Sequence, residues 1–208
     1  MSEPTTSIPS KAPSLVELAD ALDNGGMIGY TRAFVQDFRQ GLNHVSLERF
    51  DWMNQLANKK WAGILCLGMG GSAAGGEFLS ALTSFQGTIP VQVQRDYTLP
   101  AWWNPTWLIV ATSHSGNTEE TLEATETGLK SGATVVVIST GGILAGLPEL
   151  YTNCYLVPSI GGQPPRSAFG HIFSRQLGLL RHLGVLPMPH DGADEAMLQR
   201  LQKAMDGF

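Results

Sequence analysis

Two short stretches of the sequence carry the residue types that hold phosphate groups in proteins. The first loop, residues 68–73 with the sequence GMGGSA, directly follows a short apolar run. Glycine tolerates positive φ angles and lets backbone N–H groups approach an anion without a side chain in the way. A helix that begins at such a turn adds further N–H donors and the positive end of its dipole. We therefore expect Gly70 and Gly71 to line a phosphate site.

The second loop, residues 112–118 with the sequence TSHSGNT, follows another apolar run and precedes a helical pattern. Ser113, Ser115 and Thr118 can each donate an O–H to a phosphate oxygen, and Gly116 allows the backbone to turn around that oxygen. Hydroxyl donors at a small-molecule site suit a phosphate monoester. The sequence thus predicts a second phosphate-binding loop beside the first.

Two other residues of the second loop leave alternatives open. His114 can contact a ligand, and a surface or capping role suits it equally well. Asn117 is a further candidate for ligand contact, and with Glu120 three residues later it also fits a helix N-cap with its capping-box partner. Considered alone, the second loop is compatible with a well-capped helix that follows a polar connection.

The surrounding pattern indicates an α/β fold with three layers, α-β-α. Apolar or alternating runs predict five strands, with helical patterns between or after several of them. Because strands and helices alternate, we expect right-handed crossovers and a parallel sheet covered on both faces. Ligands of such sheets bind at the carboxyl ends of the strands, where both loops lie. The predicted strands are 64–67, 90–95, 107–111, 134–139 and 154–157, and the predicted helices around the sheet are 73–82, 118–130 and 167–183.

Helical patterns also lie outside this alternating region. Ser14 is a candidate N-cap for the first of them, and a Pro-rich connection precedes the last. The predicted outer helices are 15–22, 28–42, 50–56 and 195–205, and the first dozen residues are predicted to be a mobile tail. We divide the chain into residues 1–60 (tail and N-terminal helices), 61–186 (phosphate-binding domain) and 187–208 (linker and final helix).

Composition narrows the class of protein. The 208 residues include 18 acidic and 13 basic residues, for a net charge of -5, without the basic cluster that a nucleic acid requires. Cys66 and Cys154 are not in metal-ligand or C-x-x-C spacing, so we expect buried thiols in a reducing compartment and no metal. The apolar runs are too short for a bilayer, and the N-terminus has no signal-peptide pattern. We expect a cytoplasmic protein without membrane or nucleic-acid partners.

Together, the two loops resemble a known family. GMGGSA and SHSGNTEETL (residues 113–122) look like the sugar isomerase (SIS) domain, a phosphosugar-binding fold. A third stretch, GGQPPRSAFG (residues 161–170), is similar to the segment that carries the catalytic arginine in bifunctional phosphoglucose/phosphomannose isomerases. The resemblance covers about residues 63–186. It implies the first SIS domain of such an enzyme, with a flavodoxin-like, five-stranded parallel sheet.

The resemblance also implies roles for individual residues. Arg166 would act near the reacting carbons, since aldose–ketose isomerisation passes through an enediolate and a planar, permanently charged guanidinium suits that oxyanion. The reaction needs no cofactor and interconverts glucose 6-phosphate or mannose 6-phosphate with fructose 6-phosphate. Alternatively, Arg166 is a structural arginine at the start of a helix, without a catalytic role. The residues that the resemblance places on the substrate phosphate are Gly71, Ser72, Ser113, Ser115 and Thr118, with Gly70, His114 and Asn117 as further contacts.

An isomerase needs a base, and the resemblance assigns it elsewhere. It implies a carboxylate base, with His and Lys helpers, in a second SIS domain and partly across a homodimer. The sequence ends before such a domain, so we expect a truncated member or a fragment. A second hypothesis is a sugar-phosphate-binding module without turnover.

A third hypothesis is dinucleotide binding, because the first loop also fits G-x-G-x-x-A after a strand. The acidic residue expected about 20 residues later would fall among Gln92, Gln94 and Arg95, and Asp96 comes late. The hydroxyl-rich second loop also has no task in a dinucleotide site. The sequence therefore favours the sugar phosphate.

Other chemically active residues have ordinary structural explanations. Glu77 is expected on the solvent side of its helix. His171 and His182 share one helix face, too far apart to hold a metal together, and suit packing or surface positions. Trp102 and Trp103 can stack on a sugar, but aromatic residues beside prolines are more often hydrophobic cover.

Overall fold

Five parallel strands form one sheet, as the apolar runs predict. In this computed structural model, which describes residues 12–206, the strands follow the order β2-β1-β3-β4-β5. This is the flavodoxin-like order, and it puts the ends of β1 and β3 side by side at its topological switch point. The strands are β1 (Gly63–Leu67), β2 (Val91–Gln94), β3 (Trp107–Ser113), β4 (Val135–Ser139) and β5 (Cys154–Pro158).

Helices cover both faces of this sheet. The helices of the described chain are α1 (Leu15–Leu22), α2 (Met27–Arg32), α3 (Phe34–His44), α4 (Trp52–Ala57), α5 (Gly70–Gln86), α6 (Glu119–Lys130), α7 (Gly142–Leu150), α8 (Phe169–His182) and α9 (Ala193–Met205). The predicted Ser14 N-cap is confirmed: Ser14 Oγ accepts from Glu17 N at 3.2 Å, and Glu17 Oε2 accepts from Ser14 N at 2.7 Å.

Two apolar clusters show the three-layer arrangement. Alternate side chains of β1 point to opposite faces: Ile64 packs with residues of α3, α4, α5 and α8, and Leu65 packs with residues of α6 and α7. Strand β4 repeats the pattern with Val136 and Val137. Both faces of these strands are dry, which explains why their sequences are continuously apolar. The predicted α/β sandwich is confirmed.

The structure corrects one predicted helix and adds one that the sequence pattern did not predict. The single helix over residues 28–42 is wrong, because α2 ends at Arg32 and α3 begins at Phe34. α3 packs closely on α8, where a Cβ added at Gly41 would overlap Ser174 Oγ, and this contact sets its direction. Helix α7 is not among the predicted helices, since its Gly-rich start and Pro148 conceal the apolar period.

Several composition-based expectations concern buried groups and the chain ends. Cys66 and Cys154 are free and buried, and burial raises the pKa of each thiol to about 12. No helix between residues 12 and 206 combines the length and apolar character needed to span a bilayer. The predicted tail over the first dozen residues falls almost entirely outside the described chain.

Candidate functional site

The backbone of the first loop passes close to the backbone at the end of β3. Strand β1 ends at Leu67, and α5 begins at Gly70, which has a φ of 51°. A Cβ added at Gly68 would lie 3.0 Å from the carbonyl oxygen of Thr112 at the end of β3. Only glycine fits this contact comfortably, so the first loop lies directly against the start of the second.

Helix α5 begins at Gly70, three residues before the predicted start at residue 73. Gly70, Gly71 and Ser72 therefore form its first turn, in which Ser72 N donates to Met69 O at 3.0 Å and the N–H groups of Gly70 and Gly71 have no partner within the helix. Ser72 is half-buried there, whereas Gly70 and Gly71 are exposed. A 17-residue helix presents the positive end of its dipole at this turn. This geometry suits an anion.

The hydroxyl groups of the second loop are hydrogen-bonded within the loop. Ser113 Oγ accepts from Gly116 N at 3.1 Å and lies 2.9 Å from Thr118 Oγ1. Ser115 Oγ accepts from Asn117 N at 3.2 Å. These bonds fix the shape of the loop before any ligand is present.

Hydroxyl hydrogens remain available for a ligand despite these bonds. Ser115 is exposed and uses its oxygen only as an acceptor toward Asn117, so its O–H can still donate. The contact between Ser113 and Thr118 uses one of their two hydroxyl hydrogens. Because Ser113 is buried and Thr118 is half-buried, Thr118 is the better placed of the two to donate outward.

The predicted N-cap at Asn117 is wrong. Thr118 occupies the N-cap position of α6, and no side-chain capping bond forms there. Asn117 Oδ1 instead accepts from Ile143 N at 3.1 Å, at the start of α7. The Asn117 side chain can reach Ile143 N because the end of β4 lies beside the second loop.

The turn after β4 supports the second loop from behind. Gly116 has a φ of 71°, and a Cβ added there would overlap the carbonyl oxygen of Gly141. Leu144 N donates to Gly116 O at 3.0 Å, and Thr140 Oγ1 donates to His114 O at 2.6 Å. Sequence reasoning missed this support, although a glycine pair directly after a strand was a signal for it.

A third part of the site is the arginine segment, residues 161–166 (GGQPPR), which follows β5. His114 Nε2 lies 3.0 Å from Gln163 O, which joins the segment to the second loop. A Cβ added at Gly71 would lie 3.5 Å from Pro165 O, which places the segment beside the first loop as well. Arg166 is exposed in the turn that precedes α8. The structure thus brings all three predicted stretches to one edge of the sheet.

Buried polar groups of α3 and α8 lie behind this edge. His171 Nε2 is 3.3 Å from Asp37 Oδ1, and both side chains are buried. Burial lowers the pKa of His171, and the Asp37 carboxylate offsets only part of that shift. Gln176, fully buried, donates to Thr112 Oγ1 at 2.9 Å at the base of the second loop. None of these residues has a local sequence signal beyond a polar residue in an apolar helix.

Residues with predicted structural roles lie away from the three loops. Glu77 is exposed and forms an ion pair with Arg95 at 3.0 Å. His182 Nε2 lies 3.0 Å from Val45 O. Trp102 packs on Trp107, with ring centroids 4.8 Å apart, at the amino end of β3 and therefore at the opposite edge of the sheet. No group of three or more metal-ligating side chains is found between residues 12 and 206.

The same fold is found in solved structures of phosphosugar isomerases. Tagatose-6-phosphate ketose/aldose isomerase from Escherichia coli superposes with a TM-score of 0.68 at 16% identity, over 88% of this chain and 54% of that one. At this level of identity, the similarity is one of fold alone. No family model matches the sequence.

Sequence comparison identifies particular relatives. A bifunctional phosphoglucose/phosphomannose isomerase from Caldicellulosiruptor bescii is 38% identical over 135 residues, 64% of this chain and 39% of the relative. One from Thermoplasma acidophilum is 39% identical over 112 residues, 54% of this chain and 34% of the relative. The predicted resemblance to these isomerases is confirmed, and the matched part spans little more than a third of their length.

Proposed function

We propose that the chain binds a hexose 6-phosphate at the carboxyl edge of its sheet as part of a phosphosugar isomerase. The substrate pair is glucose 6-phosphate or mannose 6-phosphate with fructose 6-phosphate. The phosphate rests on the turn formed by Gly71 and Ser72 and on the hydroxyls of Ser113, Ser115 and Thr118. The observation that carries this proposal is the meeting of the first loop, the second loop and the arginine segment at one sheet edge.

Arg166 has the role of the electrophile in this proposal. A base removes the proton from C2 of the aldose, and the electrons move to the carbonyl to give a cis-enediolate. The guanidinium of Arg166 stabilises the negative oxygen. O1 then gains a proton, O2 loses one, and the proton taken from C2 returns at C1 to form the ketose. As the resemblance to these isomerases implies, we propose that the base comes from a second SIS domain or a partner subunit. The Glu77 carboxylate is ion-paired with Arg95 on the solvent side of α5.

A binding experiment tests the first part of the proposal. Isothermal titration of the full chain with fructose 6-phosphate is expected to give saturable binding, and fructose without phosphate is expected to give none. Ser115→Ala provides the site-specific check described in the Discussion. A chain that binds fructose and fructose 6-phosphate equally would contradict a phosphate site.

A turnover experiment separates the isomerase from a non-catalytic sugar-phosphate module. One observation favours the non-catalytic module. Both carboxylate oxygens of Asp37 already contact other residues, Gln163 and His171, so this carboxylate is not free to act as a base. We expect conversion of fructose 6-phosphate once a second SIS domain from a relative is supplied, and we expect Arg166→Lys to reduce it about 100-fold with a much smaller loss of affinity, since lysine keeps the charge without the planar fork. Binding without turnover in that assembly would favour the module.

A further inference from the structure

The arginine segment is held from three directions by hydrogen bonds. Tyr30 Oη of α2 donates to Gly162 O at 3.1 Å. His114 Nε2 of the second loop lies 3.0 Å from Gln163 O, and Gln163 Nε2 donates to Asp37 Oδ2 at 2.9 Å. The segment therefore lies between the N-terminal helices on one side and the second loop on the other.

Asp37 is the buried charge at the centre of this arrangement. Its side chain is only 9% exposed, and a buried carboxylate is costly unless its oxygens are hydrogen-bonded. One oxygen faces His171 at 3.3 Å and the other accepts from Gln163. Asp37 thus joins α3, α8 and the arginine segment through a single carboxylate.

The covalent structure of the segment transmits this contact to Arg166. Gln163 and Arg166 are separated by Pro164 and Pro165, whose rings fix φ and leave little backbone freedom. The turn is closed by Ser167 N and Ser167 Oγ, which both donate to Pro164 O at 2.9 Å. Holding the side chain of Gln163 therefore also restricts the backbone position of Arg166.

We propose that Asp37 is a positioning residue, which holds Gln163 and thereby places Arg166 beside a ligand bound by the first and second loops. This assigns part of the site to α3, a helix that the sequence pattern puts outside the phosphate-binding domain. The ligand part of the inference rests on the proposed function. The anchoring of the segment itself does not.

Hydrogen exchange of the ligand-free chain tests the anchoring. Gln163→Leu removes the donor to Asp37 and leaves the contact between Asp37 and His171 in place. We expect amide exchange over residues 159–167 to become roughly 5- to 10-fold faster, because the segment opens more readily. Arg39→Ala is the matched control, since it breaks an exposed ion pair of the same helix with Glu195 and should leave this exchange unchanged. Unchanged exchange in Gln163→Leu would overturn the inference.

Binding measurements on the full chain test the effect on the ligand. Gln163→Leu and Asp37→Leu should each weaken fructose 6-phosphate binding roughly 3- to 10-fold, the range expected from one lost hydrogen bond. The double variant should be no weaker than the weaker single variant, because both changes break the same link. Inorganic phosphate, which has no sugar to reach Arg166, should bind all variants equally.

The two probes distinguish failure of the inference from failure of the proposed function. An equal loss for inorganic phosphate and fructose 6-phosphate would reduce Asp37 to a general structural role and overturn the inference. If the unmodified chain binds no fructose 6-phosphate, the proposed function fails, and the exchange experiment still decides whether Asp37 fixes the segment. Gln163→Leu keeps the test decisive even if Asp37→Leu does not fold, since Asp37 retains its contact with His171 at 3.3 Å.

Discussion

The first and second loops occupy equivalent places in the fold, but the first is shaped by glycines and the second by hydroxyl side chains. Each follows a parallel strand and precedes a helix, at neighbouring positions in the sheet. The first loop depends on missing side chains, because Gly68 packs against Thr112 and Gly71 lies near Pro165. The second loop depends on side chains that bond to its own backbone. The glycines of the first loop can thus be altered only by adding atoms, whereas the second loop can be dissected by removing single hydroxyls.

The largest expected effect comes from adding a methyl group at Gly116. Gly116→Ala forces a non-glycine residue to a φ of 71° and a Cβ into Gly141 O. We expect a loss of about 2–6 kcal/mol in unfolding free energy, the sum of backbone strain and overpacking. Gly70→Ala is the control from the first loop: its φ is 51° but its Cβ meets no atom within 4 Å, so only the strain of about 1–3 kcal/mol remains. Equal losses in urea unfolding would refute the contact with Gly141.

Removal of hydroxyls from the second loop should separate stability from binding. Ser113→Ala removes the side-chain acceptor of Gly116 N, which keeps Ser113 O at 3.2 Å, and should lower the unfolding free energy by about 0.5–1.5 kcal/mol, the value of one lost hydrogen bond. Ser115→Ala removes an exposed hydroxyl and should weaken fructose 6-phosphate binding by about 1–3 kcal/mol with little change in stability. Calorimetric titration and urea unfolding of both variants make the comparison. An unchanged dissociation constant for Ser115→Ala would count against the second loop as a phosphate site.

The smallest expected effect is a pH dependence that arises behind the second loop. Burial keeps the pKa of His171 below its ordinary value of 6.5 in the folded protein. The unfolded chain therefore takes up a proton at this residue at higher pH than the folded protein does, and stability is lost as the pH falls below about 6.5 toward the lowered pKa. His171→Gln should reduce the loss between pH 7.5 and 5.5, whereas His190→Gln, a change in the exposed linker, should not. Identical pH profiles for wild type and His171→Gln would exclude this contribution.

The central strands β1, β3 and β4 were predictable because burial on both faces leaves a strong local pattern. Runs such as Val135–Ser139 are continuously apolar and β-branched, and each predicted strand lies within two residues of the observed one. Helix ends and short helices were harder. Asn117 does not form the capping bond, because its side chain accepts from Ile143 N instead. Helix α7 was not predicted because two glycines and Pro148 interrupt its apolar pattern.

Sequence alone determined that two loops rich in glycine and hydroxyl residues each follow a buried strand, since these residue types are read directly from the chain. It also determined the resemblance that points to Arg166. The tertiary structure alone decided which residues stand behind them. Asp37 and Gln163 are 126 residues apart and meet only because α3 packs on α8. A hydrogen bond between such distant residues leaves no periodic trace in the chain, because its geometry is set by how whole helices pack.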